Sequence, residues 1–127
     1  MQGLRFRLCG GWSLRIALSA LAATSVCAGE AAFQKLSEDA IRHKIIGKVV
    51  TDGAHWADHF LRNGQVEGHS LGKRYAGTWR LEDGELCITR RRKRPAEECV
   101  EVWVSGTQVE YRRAGAPLAS GTLRDGD

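Results

Sequence analysis

All four histidines, His43, His55, His59 and His69, fall in one quarter of the chain, and grouped imidazoles are what a zinc site or an acid-base pair uses. Zinc requires three or four ligands converging on one point. On an extended strand His55 and His59 share a face but lie about 13 Å apart. A hairpin turning at Asn63-Gly64 sets His69 on the other face, opposite Asp58. The spacing therefore predicts separate histidines and no metal. The same residues define the enzymatic alternative, a hydrolase using His55, Asp58 or His69. No serine stands in a nucleophile-elbow context, and no catalytic residue is assigned.

The densest charge is the run Arg90, Arg91, Arg92, Lys93 and Arg94, closed by Pro95. Five cations at a hairpin tip form a candidate anion site for a phosphate, a lipid head group or an acidic polymer. Glu97, Glu98 and Glu101 follow directly and balance the run. Without a second basic run or exposed aromatics, a solvated loop is expected and nucleic-acid binding is not.

Cysteines bound the compartment. Residues 1–28 have the form of a secretory signal, with Arg5, Arg7 and Arg15, an apolar run over residues 16–26, and small residues up to Ala28. That run is shorter than the roughly 20 residues a bilayer span needs, so cleavage after Ala28 and no stable membrane anchor are expected. Cleavage removes Cys9 and Cys27 and three of the 19 basic residues, leaving 16 against 15 acidic ones. The basic character of the whole chain is thus no sign of a nucleic-acid partner. The remaining 99 residues, 29–127, make one domain in the periplasm or outside the cell, with Cys87 and Cys99 paired as a disulfide.

The elements that must position these residues follow from capping and alternation. Ser37 before Glu38-Asp39 starts a helix over residues 38–46, with Ile41, Ile45 and Ile46 on one face and Gly47 as its exit. Thereafter short apolar stretches are separated by Asp52-Gly53, Asn63-Gly64, Asp83-Gly84 and Ser105-Gly106, the mark of an antiparallel meander. Residues 54–62 read as strand, with a helix as the alternative. About eight strands result, enough for a small barrel or a sandwich.

Two-residue turns predict a register. Asp83-Gly84 sets Leu81 against Leu86 and Trp79 against Ile88. Ser105-Gly106 sets Val104 against Thr107, Val102 against Val109 and Val100 against Tyr111. Asn63-Gly64 sets Leu61 against Val66. Centring the middle hairpin on Lys93 sets Cys87 opposite Cys99 on the outer face. The same register aligns Glu82, Glu85, Glu101 and Glu110 in an outward carboxylate row, beside Arg80, Cys87, Cys99 and Arg112. Such a row is a candidate cation or partner site, and its central glutamates should titrate high and gain stability on neutralisation.

Ile46-Gly47-Lys48, Trp56 and Phe60 before Asn63-Gly64, Gly77-Thr78-Trp79, Leu86-Cys87, Cys99 with Val102-Trp103, and Gly121-Thr122-Leu123 together resemble a group of small exported proteobacterial proteins of unknown function. That resemblance spans nearly all of the mature chain and implies structural turns, core aromatics and a disulfide, with no activity. Gly-Thr-Trp also resembles the opening strand of lipocalins and avidins, but its mid-chain position carries over only a barrel-like architecture. The expected function is non-enzymatic binding of an envelope protein or a small ligand, without a cofactor. A small inhibitor of a hydrolase is the other alternative.

Overall fold

The computed structural model describes residues 32–126; the signal expected over residues 1–28 lies outside them. The architecture is an eight-stranded antiparallel barrel with one extra strand and one helix. Strands β2 (Lys48–Thr51), β3 (Trp56–Phe60), β4 (Gln65–Ser70), β5 (Lys73–Glu82), β6 (Glu85–Arg90), β7 (Glu97–Ser105), β8 (Gln108–Arg113) and β9 (Ala116–Asp125) follow one another as a meander. Pairing of β9 with β2 closes the ring. The short strand β1 (Gln34–Lys35) pairs with Val104 and Trp103 of β7, beyond the point where β6 stops pairing with β7 at Val100.

Helix α1 (Glu38–Lys44) plugs one end of the barrel. Ser37 caps it as expected, accepting from the Ala40 N–H at 3.2 Å, and Glu38 accepts from the Gly84 N–H in the β5–β6 turn. It stops two residues earlier than residue 46 because the N–H groups of both Ile45 and Ile46 return to the Ile41 carbonyl, and Gly47 then exits with φ +87°. Ile41 and Ile45 are fully buried with Phe60, Val66, Leu86 and Val102. This half of the interior is a packed core. The preference for strand over helix at residues 54–62 is met by β3 over Trp56–Phe60, with loop on either side.

Register follows turn chemistry. At Asp83-Gly84 both residues have positive φ, the type I′ geometry, and Trp79 pairs with Ile88 and Leu81 with Leu86 as expected. Cys87 lies opposite Cys99 and the two form a disulfide. Two registers need correction. At Asn63-Gly64 only Gly64 is left-handed; the loop is one residue longer than a type I′ turn, so Phe60, not Leu61, faces Val66. The slip sets Asp58 opposite Gly68 and His69 opposite Ala57. At Ser105-Gly106 the glycine takes the first central position of the turn, so Ser105 pairs with Gln108. Val104 therefore faces Val109 and Val102 faces Tyr111, a shift of two that keeps the same faces inward.

That shift dissolves the carboxylate row. Glu82 and Glu85 oppose each other, but Glu101 lies opposite Arg112, and Glu110 opposite Trp103. Glu101 is buried against β1 and the β8–β9 turn, accepting from the Gly115 N–H at 2.9 Å and Trp103 Nε1 at 3.1 Å, with Lys35 Nζ at 3.4 Å. Arg112 stacks over Trp103 and is held by Glu110. The Gly115 amide, helped by Trp103 and Lys35, outweighs partial desolvation and holds the Glu101 carboxyl below its ordinary range, opposite to the expectation for a like-charged row.

Glu101→Gln should accordingly lower the melting temperature at neutral pH. A depressed folded-state pKa contributes stability above the ordinary carboxylate value that is lost on acidification, so the deficit should narrow as pH falls. A variant more stable than wild type at low salt would restore the row.

Candidate functional site

Opposite the helix, the barrel is open. Along each strand, every second side chain points inward, and at one level those inward positions change from apolar to polar on several strands at once. Phe60 gives way to Asp58 on β3, Leu86 and Ile88 to Arg90 on β6, Val102 and Val100 to Glu98 on β7, and Val109 to Tyr111 on β8. The side chains at this level, Asp58, Arg90, Glu98 and Tyr111, line a cavity of about 270 Å³ at the mouth together with Trp56 and Tyr75.

Asp58 lies at its base with only 2% of its surface exposed. Tyr111 donates its hydroxyl to Asp58 Oδ2 at 3.4 Å, and Arg90 Nη2 stands 3.6 Å from the same oxygen. Arg90 Nη1 is 3.4 Å from Glu98, whose other oxygen is 3.5 Å from Arg113. The guanidinium of Arg90 lies 5.0 Å over the Tyr75 ring, within cation–π range, and the Trp56 and Tyr111 rings meet at 5.7 Å. Gly68 makes room for this arrangement: a methyl group there would stand 2.7 Å from the Tyr75 hydroxyl and 2.0 Å from the Ala57 carbonyl oxygen.

Burial raises the Asp58 carboxyl above its ordinary value, and Glu98 adds to this, while Arg90 and Tyr111 pull it down. Burial, with Asp58 nearby, also pushes the Tyr111 phenol well up. A carboxyl raised in the folded state binds a proton that the unfolded chain has already released, so its contribution to stability is lost as pH rises from the ordinary value through the raised one. Asp58→Asn removes this titration. Its stability relative to wild type should therefore improve as pH rises through that window, read from urea midpoints; a flat difference would mean that the cavity is as polar as water.

The residues singled out by sequence are divided by the fold. Arg90 leaves the basic tip and turns into the mouth, because it continues the inward series of Leu86 and Ile88. Arg91, Arg92, Lys93 and Arg94 are exposed at the rim, with Arg92 lining the cavity as well. Of His55, Asp58 and His69, named for the hydrolase alternative, the structure brings two to one cavity. His69 lines the same cavity as Asp58, but His55 is drawn to Asp52, its Nδ1 2.8 Å from Oδ2. Asp52 also accepts three backbone N–H groups, from Ala54, His55 and Trp56, and these bonds hold its carboxyl well below the usual range. His43 bonds the Asp39 carbonyl on the helix surface, and His59 lies on the outer face opposite Glu67. An Arg80–Glu97 pair, at 2.6 and 2.8 Å, reaches from β5 to β7 across β6 beside the disulfide.

Sequence reasoning missed Trp56, Tyr75, Glu98 and Tyr111 as site residues. The available signal was their inward parity at the polar end of otherwise apolar strands. No protein-family model, curated protein or solved structure matches the chain.

Proposed function

We propose that this is an exported, non-enzymatic barrel that binds a small ligand at its open mouth. The observation that carries the reading is the cavity itself, where a desolvated carboxylate, a guanidinium and a phenol converge between aromatic walls. Small-molecule sites combine apolar lining with a few convergent polar groups and shifted titrations, and span roughly 300–1,000 Å³. At about 270 Å³ the mouth lies just below that range and suits a small ligand. The packed half of the interior argues against a deep carrier for long lipids. Export is supported by the disulfide, which persists in oxidising compartments, and by the signal-like start of the chain.

The test is a fragment screen of the oxidised, isotopically labelled protein by two-dimensional NMR. Binding fragments should shift the signals of Trp56, Ser70 and Tyr75 together. Ala119→Phe, which places a ring in the cavity, should abolish those shifts while leaving the core signals near Phe60 unchanged. Fragments that perturb only the outer face, or bind equally after Ala119→Phe, would refute the reading.

A further inference from the structure

We infer, building on that reading, that the mouth selects a small carboxylate with a ring-sized apolar body, and that Arg90 is the fork that receives it. Engaged arginines elsewhere in the molecule show what a satisfied fork looks like. Arg80 reaches both oxygens of Glu97 at 2.6 and 2.8 Å, and Arg112 sets two nitrogens on Glu110 Oε2 at 2.6 and 2.7 Å. Charge-assisted bonds of this kind optimise at about 2.7–2.9 Å. Arg90 instead stands 3.6 Å from Asp58 and 3.4 Å from Glu98, one nitrogen to each, with its plane steadied by Tyr75. The guanidinium thus keeps one long hydrogen bond to Glu98 and a longer ion pair with Asp58, without the short two-nitrogen contact of the other arginines, and it lines the cavity.

Charge at the rim favours the same class. Arg92 lines the mouth with Arg90, and Arg94 joins both in an adjoining recess, while Arg113 offsets Glu98. Basic rims of this kind raise the local concentration of anions and speed their arrival. Asp58, the one carboxylate at the base, is shared between Arg90 and Tyr111, and burial favours its neutral form. Trp56, Tyr75, Tyr111, Ile88, Val100 and Ala119 supply walls for the ligand's apolar body. An entering carboxylate gains two parallel hydrogen bonds from Arg90, in exchange for contacts that are long in the free protein.

Benzoate, benzyl alcohol and benzylamine separate the chemistry, since each carries the same ring with a negative, neutral or positive group. The oxidised protein should bind benzoate at least roughly tenfold more tightly than the other two, the value of a charged hydrogen bond. The shifts should centre on Trp56, Tyr75 and the Arg90 side chain. Arg90→Gln should erase the preference for benzoate and leave benzyl alcohol within about twofold, as expected when only the fork is lost. Should that variant fail to fold, the wild-type ranking and the exposed Arg92→Gln variant, which should weaken benzoate alone, decide the matter. Preferential binding of benzylamine, or equal binding of all three at the mouth, would overturn the carboxylate assignment and leave the binding reading intact. If none of the three perturbs the mouth, the carboxylate assignment fails, and the broader fragment screen judges the cavity separately.

Discussion

Gly77→Ala should lower stability by about 3 kcal/mol, the upper end of the range for overpacking, and the melting temperature by roughly 15 °C. Gly77 pairs with Val66 on one side and Arg90 on the other, in the middle of the sheet. A methyl group at this position would stand 2.0 Å from the Thr89 carbonyl oxygen and 3.0 Å from the Arg90 Cα. All of its near neighbours are backbone atoms, so no side chain can rotate away. Relief requires β5 and β6 to separate at the Gly77–Arg90 pair, with loss of ladder hydrogen bonds. Urea unfolding of the variant measures the loss, and a change below about 1 kcal/mol would show that the strands can part without harm. Since Arg90 is the immediate neighbour, benzoate binding should weaken in the same variant even where it remains folded.

The legible part of this fold was the part written in pairs of residues. Asp83-Gly84 places two residues suited to positive φ side by side, which fixes a type I′ turn, and its hairpin registers as expected. Asn63-Gly64 carries the same signal, yet Asn63 keeps a negative φ and uses its side chain to accept from the Gln65 N–H, giving a longer loop. The choice between the two turns depends on how Phe60 and Val66 meet in the core, which no local pattern records. A slip of one residue there reassigns Asp58 from His69 to Gly68.

The shift at Ser105-Gly106 preserved inward faces and so spared the core, but it changed outward neighbours and removed the carboxylate row. The turns at Leu71-Gly72 and Ala114-Gly115 carry no clear sequence signal, because leucine and alanine rarely adopt the φ values near 50° that they hold here. The site was hidden for a related reason. Arg90 belongs by composition to the basic run and by parity to the interior, and linear charge outweighed alternation.

Loss of the Cys87–Cys99 bridge should cost about 3 kcal/mol, the chain-entropy value for a loop closed by residues twelve apart. The location sharpens the expectation. Only four residue pairs join β6 to β7, from Leu86–Val100 to Thr89–Glu97, before the two strands diverge into the exposed basic loop. The bridge clamps one of those four. Reduction therefore loosens the stretch that holds Arg90 near Glu98, while the helix-plugged half keeps Leu86, Val102 and Ile41 packed together. Cys87→Ala with Cys99→Ala should lower the urea midpoint, by the shift that corresponds to that free energy, and show no further shift when reductant is added, whereas wild type should lose stability only in reductant. Amide exchange should rise first at Ile88, Thr89 and Glu98 and last at Phe60 and Val66. Benzoate affinity should fall in the double variant under conditions where the domain is still folded, because the fork of Arg90 is no longer held between its two carboxylates. Equal midpoints for wild type with and without reductant would show that the β6–β7 ladder and the Arg80–Glu97 pair across it hold the strands without covalent help.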